Sequence, residues 1–414
     1  MGCGACAYIC PSNNIVLQNF YDQGIRPVSV GKCQQCGKCL QVCAGINNTQ
    51  YNHHSNALND LRQYIGNALE IWEGYSTDEE IRFNASSGGI ATALAMYCID
   101  FGLAEGVLQT KADLEKPFLN KIVYSQDVRS VKSCSGSRYS PSSPCARLSL
   151  IEKSNGKSVF IGKPCDVSSL RNAQKLKPEL SDKIALTIGI FCAGTPSTKA
   201  TLELIEKHGL NADELEELRY RGNGWPGTFF SRSKSKLPIE LPYIQSWSFI
   251  QKYRPLRCYL CADGTSETAD LSCGDAWYLR DVDKKGVSLI IIRNEKGRKI
   301  FHEAIDKGYI YAYPSQVNNV IISQQSLFGR QKEQWGRFAV YKLCGIPVPK
   351  YIGWSLLKNW FAISSKAKLR SIISTLKRVL QRKLFLPAKN DVQLNCDHIA
   401  ANQEIEAYSE IKGL

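Results

Sequence analysis

The stretch IALTIGIFCAG, residues 184–194, decides the fold class of this chain. It is a continuous apolar run that ends in a cysteine and a glycine, as expected for a buried strand followed by a loop. The stretch SVFIGKPC, residues 158–165, has the same form. We therefore predict buried strands at 158–161 and 184–191, and the loops after them carry Cys165 and Cys192.

Helical and strand-like segments alternate on both sides of these strands. The predicted helices are 86–101, which a Ser-Ser-Gly-Gly loop opens, 197–208 and 297–307, and a further buried strand is predicted at 287–292. This alternation is typical of an α/β core in which helices cover a mixed or mostly parallel sheet. The length of 414 residues and the 43% hydrophobic content suffice for such a core and smaller domains.

The first 50 residues carry two cysteine motifs and little apolar periodicity, so they cannot fold on a hydrophobic core alone. The motifs are Cys3-x2-Cys6-x3-Cys10 before Pro11, and Cys33-x2-Cys36-x2-Cys39-x3-Cys43. In ferredoxins with this spacing the last cysteine of each motif binds the other cluster. We predict a small ferredoxin-like α+β domain with two [4Fe–4S] clusters, one on Cys10, Cys33, Cys36 and Cys39, the other partly on Cys3, Cys6 and Cys43.

The first motif is incomplete, because its missing cysteine would stand three positions before Cys3 and thus before Met1. We expect a truncated start with a cysteine upstream. The alternative is a labile or [3Fe–4S] cluster on three thiolates. A zinc site or unpaired thiols are further alternatives, although zinc sites usually show two separated pairs and often histidine.

Composition limits the remaining function classes. The net charge is +14, but no nucleic-acid-binding motif accompanies it, so we expect no nucleic acid partner. No run of 18 or more apolar residues and no basic stretch before an apolar segment occurs, so we expect neither a spanning helix nor a signal peptide. Many of the 17 cysteines lie two or three residues apart, which suits metal ligation in a reducing compartment and predicts a cytoplasmic protein.

Residues 351–385 carry eight Lys or Arg and no Asp or Glu. Apolar residues there recur at helical spacing, namely Leu369, Ile372, Ile373, Leu376, Val379 and Leu380. This composition predicts an amphipathic helix that lies on an anionic membrane surface, at the inner face of the membrane. The alternative is a helix packed on the core with a solvated basic face.

We therefore divide the chain into six segments. They are a ferredoxin-like domain at 1–50, a connector at 51–80, the α/β core in two parts at 81–157 and 158–345, a basic amphipathic helix at 346–385 and a polar tail at 386–414.

Five short stretches in the core resemble the coenzyme F420 hydrogenase/dehydrogenase beta-subunit family, which includes a plant chlorophyll reductase. They are SSGGIATAL at 86–94, GSRYSP at 136–141, IGKPCD at 161–166, GIFCAG at 189–194, and Cys258-x2-Cys261 leading through 269–270 to GDAW at 274–277. The resemblance implies a noncovalent FAD and a [4Fe–4S] cluster held by Cys165, Cys192, Cys258 and Cys261. The residues themselves agree, because neighbouring parallel strands would bring Cys165 and Cys192 together beside a Cys-x2-Cys pair. Buried apolar thiols are the alternative.

Candidate flavin contacts follow from the same stretches. The Gly88-Gly89 turn before a helix is a candidate phosphate site, with hydroxyls from Ser86, Ser87 and Thr92 and positive charge from Arg138 and Lys163. Gly274 and Trp277 complete the predicted cofactor contacts, and Trp225 lies in a glycine-rich loop that suits a flat ring. We predict Asp270 and Asp275 as proton donors, with Trp225 beside them. A plain helix start, a structural turn and surface salt bridges are the alternatives.

These predictions describe an iron–sulfur flavoprotein oxidoreductase. The clusters carry single electrons from a ferredoxin-like or other redox protein, and the flavin exchanges a hydride with a small substrate. The resemblance implies coenzyme F420 or another cyclic molecule as this substrate. The alternatives are an electron-transfer subunit that docks on a partner enzyme, and a non-redox accessory protein in a membrane-associated envelope glycan pathway. The intact Cys33–Cys43 motif disfavours the last.

Overall fold

The computed structural model describes residues 2–50, 62–280, 284–386 and 398–399. The strands of these residues are β1 Ile15–Phe20, β2 Gly24–Ser29, β3 Asn47–Thr49, β4 Glu70–Ser76, β5 Gly106–Ala112, β6 Asn120–Ser125, β7 Ser158–Gly162, β8 Ile184–Ile190, β9 Leu215–Arg219, β10 Thr228–Ser233, β11 Ile239–Pro242, β12 Leu271–Asp275, β13 Ser288–Ile292, β14 Ile310–Pro314, β15 Lys350–Ile352 and β16 His398–Ile399. The α-helices are α1 Ala5–Tyr8, α2 Lys38–Gln41, α3 Arg62–Ile65, α4 Glu79–Asn84, α5 Ile90–Asp100, α6 Val128–Lys132, α7 Leu148–Lys153, α8 Pro164–Leu176, α9 Glu179–Asp182, α10 Thr198–Lys207, α11 Tyr243–Ile250, α12 Leu256–Tyr259, α13 Glu295–Asp306, α14 Val317–Ser323, α15 Gln325–Lys332, α16 Gln334–Leu343, α17 Leu356–Phe361 and α18 Ser365–Gln381.

One eight-stranded sheet organises the core, in the order β14-β4-β13-β12-β8-β7-β5-β6. Strands β12, β8, β7 and β5 run parallel, and the outer pairs are antiparallel. Every residue of β13 is buried, as are the first six of β8, as expected for central strands covered on both faces. The predicted α/β core with a mixed sheet is thus confirmed.

The register of β7 and β8 positions two cysteine loops. Ile161 lies opposite Ile188 and Gly162 opposite Gly189, so the two strands end side by side. The chain then enters α8 with Cys165 in its first turn, while Cys192 follows β8.

One predicted segment boundary differs from the structure. Residues 70–76, assigned to a connector, form β4 inside the core sheet between β13 and β14. Its alternating pattern buries Ile71 and Glu73. The two predicted parts of the core, 81–157 and 158–345, share one sheet, because β5 and β7 pair directly across the division between them. Residues 51–61 of the connector, and all of the polar tail except 386, 398 and 399, lie outside the described residues.

The first 50 residues form a β1–β2 hairpin between two helical turns, each of which carries a cysteine motif. We call this region the head. It is bonded to the core at several points: the Ser143 hydroxyl donates to Gly2 O at 2.5 Å, and the Asn19 amide to the Thr198 hydroxyl at 3.0 Å. Strand β3 pairs in parallel with β15, which ties the head to the C-terminal region.

The C-terminal helices cover one end of the core. Leu356 and Val379 pack with Leu260 and Ala262 in a single apolar cluster, and α18 lies on α16. None of the helices in the described ranges is long and apolar enough to cross a lipid bilayer.

Candidate redox site

Four cysteines from three separate parts of the chain line one cavity beyond the ends of β7 and β8. They are Cys165, Cys192, Cys258 and Cys261, which we call the core set. Gly194, Thr195, Asp263 and Arg330 also line this cavity. This is the ligand set that the resemblance implies.

The donor chemistry of this cavity fits an iron–sulfur cluster. Among the described residues no three His, Cys, Asp or Glu side chains converge as they would around a single metal ion. The four thiols line one cavity and are the side chains that usually ligate iron–sulfur clusters, so the residues present fit such a cluster.

Burial and fixed charges set the electrostatics of the core set. Burial raises the pKa of Cys192 to about 11 and holds the pKa of Cys165 well above its usual range. Although burial alone would lower the pKa of Lys163, the charge of Asp166 raises it, and their 2.7 Å ion pair keeps an ammonium beside the core thiols. The structure thus associates Lys163 with the cysteines, where the sequence had suggested a phosphate contact.

Arg330 is a residue that sequence reasoning missed. Its guanidinium donates to Ala193 O at 2.9 Å and Cys192 O at 3.1 Å, and it lines the core-set cavity. It comes from α15, far in sequence from the cysteines of the core set, so no motif points to it.

The head cysteines form two groups that differ in exposure. The inner set is Cys3, Cys6 and Cys43, and the outer set is Cys10, Cys33, Cys36 and Cys39. Burial, followed by the charges of Cys3, Cys43 and Cys39, raises the pKa of Cys6 to about 12, so thiols of both motifs lie close together. In the outer set Cys33 and Cys36 are exposed.

Cys3 faces the core. Its thiol donates to the Ser169 hydroxyl at 3.2 Å, and that hydroxyl also accepts from the amide of Ala44 at 3.2 Å. A hydrogen bond from Cys145 is the main reason that the pKa of Cys3 falls to about 7. Ser169 lies on α8, whose first turn carries Cys165, so one helix contacts both the inner set and the core set.

A second candidate site surrounds Asp275 at the end of β12. Its carboxylate accepts from the Arg221 guanidinium at 2.7 and 3.1 Å and from the Trp225 indole at 2.8 Å. The ring of Trp277 stacks with Trp225 at 5.7 Å and with Tyr243 at 5.6 Å. We call these five residues the aromatic site. Arg221 is only 2% exposed, so the site has a buried ionic centre under a flat apolar surface.

Phe191 connects the two sites. It immediately precedes Cys192, and a Cβ on Gly274 would lie 2.0 Å from its ring. Gly274 is therefore small because Phe191 occupies the adjacent space, which replaces the cofactor contact predicted for it.

The Ser-Ser-Gly-Gly loop is fixed to the sheet. The Ser87 hydroxyl donates to Val287 O at 3.1 Å, and the amide of Gly88 donates to the Ser288 hydroxyl at 2.9 Å. A Cβ on Gly88 would lie 2.5 Å from Gly74 O, so close packing on β4 accounts for this glycine.

The other predicted contacts of this loop lie around the start of α5. The Ser86 hydroxyl accepts from the Ser137 amide at 2.7 Å, Gly89 caps α5 in the left-handed conformation, and Thr92 is half-buried in its first turn.

Two predicted roles are incompatible with the contacts that the structure shows. The Arg138 guanidinium donates to the Asn120 side chain at 2.8 Å, Leu218 O at 2.9 Å and Leu119 O at 3.2 Å, so it holds strand ends together and is not a phosphate ligand.

Asp270 is not a proton donor. It is 1% exposed, and its carboxylate accepts from Arg171 at 2.8 Å, Asn294 at 2.7 Å and the Thr187 amide at 2.8 Å. Although burial would raise the pKa of Asp270, the charges of Arg171 and Lys296 and these hydrogen bonds lower it. The group therefore stays ionised.

Comparison with known proteins identifies the family. The family described as "Coenzyme F420 hydrogenase/dehydrogenase, beta subunit N-term" matches residues 71–149, and its C-terminal counterpart matches 156–317, together more than half of the chain. The coenzyme F420 hydrogenase subunit beta of Methanothermobacter thermautotrophicus is 27% identical over 296 residues, 69% of this chain and 99% of that protein. The coenzyme F420-dependent sulfite reductase of Methanocaldococcus jannaschii is 24% identical over 315 residues, 72% of this chain and 44% of that protein.

A solved structure shares the fold. A chain in the F420-reducing [NiFe] hydrogenase complex from Methanosarcina barkeri superposes with a TM-score of 0.53 at 24% identity, over 78% of this chain and 95% of that chain. The chain therefore belongs to the coenzyme F420 hydrogenase/dehydrogenase beta-subunit family and is an oxidoreductase of that family.

Proposed function

We propose that this chain is an iron–sulfur flavoprotein that passes electrons between [4Fe–4S] clusters and an FAD, which exchanges a hydride with a two-electron substrate. The observation that carries the proposal is the core set, because three separate segments bring four thiols to one cavity in a chain of a redox family. Thiolates are the usual protein ligands of such clusters.

The cysteine sets suggest an order of electron transfer. The outer set is the most exposed and suits a ferredoxin-like partner in solution, while the inner set lies against α8. Burial and Asp166 are the main causes of the high pKa of Cys165, and Cys3 adds to it, so the inner and core sets lie within electrostatic range. Electrons would thus pass from outer set to inner set to core set. The unpaired thiols and their spacing support a reducing, cytoplasmic location.

The aromatic site is the proposed position of the flavin. Tyr243 and Trp277 offer flat, half-buried faces. The Phe191 ring lies against Gly274, and Phe191 immediately precedes Cys192 in the chain. FAD supplies the exchange between single electrons and a hydride when bound. Within the chain, Asp275 orients the Trp225 indole and neutralises Arg221.

The names of the relatives guide the proposed substrate. Those relatives are named for coenzyme F420, so we propose this deazaflavin or another cyclic organic molecule. The second candidate function is an electron-transfer subunit that docks on a partner enzyme and has no substrate of its own. Relatives named as subunits of larger enzymes favour it.

Anaerobic purification with iron, sulfide and flavin assays tests the clusters. Cys258→Ala and Cys261→Ala should each remove about four iron atoms per chain. Cys98→Ala is the control, since Cys98 is a fully buried cysteine that lies in the apolar core and does not line the cavity. Unchanged iron in both cavity variants would refute the core cluster.

Flavin release on denaturation tests the second half of the proposal. Trp277→Ala should weaken FAD retention and slow oxidation of reduced coenzyme F420, while iron content stays constant. If the protein retains FAD but does not turn over F420, its substrate is another molecule. If iron-replete wild type contains no FAD, the flavoprotein proposal is refuted and the second candidate, an electron-transfer subunit, is favoured.

A further inference from the structure

Helix α18 presents its most apolar side to solvent. Leu369, Ile373, Leu376 and Leu380 stand at i, i+4, i+7 and i+11, which places them in one narrow stripe along the helix. Their exposed fractions are 58%, 55%, 42% and 66%. We call this stripe the docking face.

The opposite side of α18 faces the protein and is largely polar. Ser371, Thr375 and Val379 are buried at 1%, 0% and 4% exposure. The guanidinium groups of Arg378 and Arg382 lie over the Tyr259 ring at 4.2 and 5.2 Å. A helix of a globular domain normally buries its apolar stripe, so the orientation of α18 indicates that something else covers the docking face.

The charge around the docking face indicates what covers it. Lys366 and Lys377 are exposed on one flank, and residues 351–385 contain eight Lys or Arg and no Asp or Glu. Large apolar side chains also lie exposed before and after the helix, Phe361 at 68% and Phe385 at 58%. Exposed aliphatic and aromatic residues next to exposed lysines are typical of a helix that lies in the headgroup layer of an anionic bilayer.

We propose that the docking face binds an anionic lipid surface, with α18 parallel to the membrane plane. The four aliphatic side chains enter the boundary between headgroups and acyl chains, and the lysines contact lipid phosphates. This inference is independent of the proposed redox function, because it requires neither cluster nor flavin.

Co-sedimentation of the full chain with vesicles tests the proposal. We expect binding to phosphatidylcholine vesicles in which about a third of the lipid is phosphatidylglycerol, and far weaker binding to phosphatidylcholine alone. Binding should fall steeply between about 0.05 and 0.5 M salt. Lys366→Gln and Lys377→Gln should each weaken it about fivefold.

A second set of variants tests how much the exposed aliphatic side chains of α18 contribute to vesicle binding. The double variant Ile373→Gln and Leu376→Gln should abolish sedimentation while leaving thermal unfolding unchanged, because both side chains are already exposed. Leu237→Gln is the matched control, an 87% exposed leucine in the β10–β11 hairpin, and should bind like wild type. Equal binding by the double variant, or no binding by wild type, overturns the proposal. Self-association without lipid that the double variant abolishes would also overturn it, and would assign the face to a second copy.

Discussion

The core set and the head cysteines differ in what holds them in position. The core set follows two central strands of an eight-stranded sheet and rests on large apolar clusters. The head has a small apolar cluster of its own around Ala7, Leu17 and Ile25, and it contributes a few further side chains to one of the core clusters. Two of its four outer-set cysteines are exposed. With the proposed clusters bound, the fold would position the thiols of the core set, whereas the head would depend more on its own clusters for its folding free energy.

Withholding iron and sulfide should have the largest effect, and only on the head. We expect peptides within 2–50 to lose protection against hydrogen exchange, since metal binding supplies much of their folding free energy. Peptides of β8 and β13 should stay protected. Equal protection of the head with and without iron would remove the contrast between the two regions.

Arg221→Met tests how far the core depends on its buried ion pair. Leaving Asp275 without its partner should lower the free energy of unfolding by roughly 3–5 kcal/mol in denaturant titrations. Arg232→Met is the control, because its pairs with Glu216 and Glu217 are exposed and should contribute less than about 1 kcal/mol. Head iron content should be unchanged in both variants, and its loss would mean that the regions are coupled.

Lowering the pH should reduce the free energy of unfolding of the core, because Asp270 becomes protonated. Its folded-state pKa is lowered, so its stabilising effect is present above the unfolded pKa of about 3.9 and is lost as pH falls through the lower folded value. Asp270→Asn should lower the free energy of unfolding by roughly 3 kcal/mol near neutral pH. The free energy of unfolding of this variant should also decrease less than that of wild type as the pH falls. The exposed Asp182→Asn should follow wild type at every pH, and a parallel curve for Asp270→Asn would contradict the assignment.

Ser169→Ala should have the smallest effect, at the contact between the two regions. Removing its hydroxyl breaks the hydrogen bonds to Cys3 and Ala44 and should cost about 1 kcal/mol. We expect faster exchange of head amides with no change in the unfolding of the core. A loss of core stability instead would show that Ser169 acts within α8 alone.

Sequence patterns predicted the core well where local chemistry and topology agree. The apolar runs at 158–161 and 184–191 form adjacent parallel strands, so their cysteine loops meet as expected. Strand β4 was missed because its seven residues include two glutamates and a glycine, and only tertiary packing buries Glu73.

The roles of individual polar residues could not be predicted. The Arg138 guanidinium donates hydrogen bonds to backbone carbonyls, and the Asp270 carboxylate accepts one from Arg171. These partners are distant in sequence and come together only in the folded sheet. Arg330 lies beyond the matched family region, which ends at 317, so neither motif nor resemblance indicates it.

The cover over the Cys258–Cys261 loop determines how oxidants reach the protein. The Tyr351 hydroxyl accepts from the amide of Ala262 at 3.0 Å, and Arg378 closes over Tyr259, so residues beyond the family match shield this loop. Dioxygen and peroxide in solution meet Cys33 and Cys36 directly, whereas Cys258 is 9% exposed. Oxidative damage should therefore begin at the exposed outer-set thiols before it reaches Cys258.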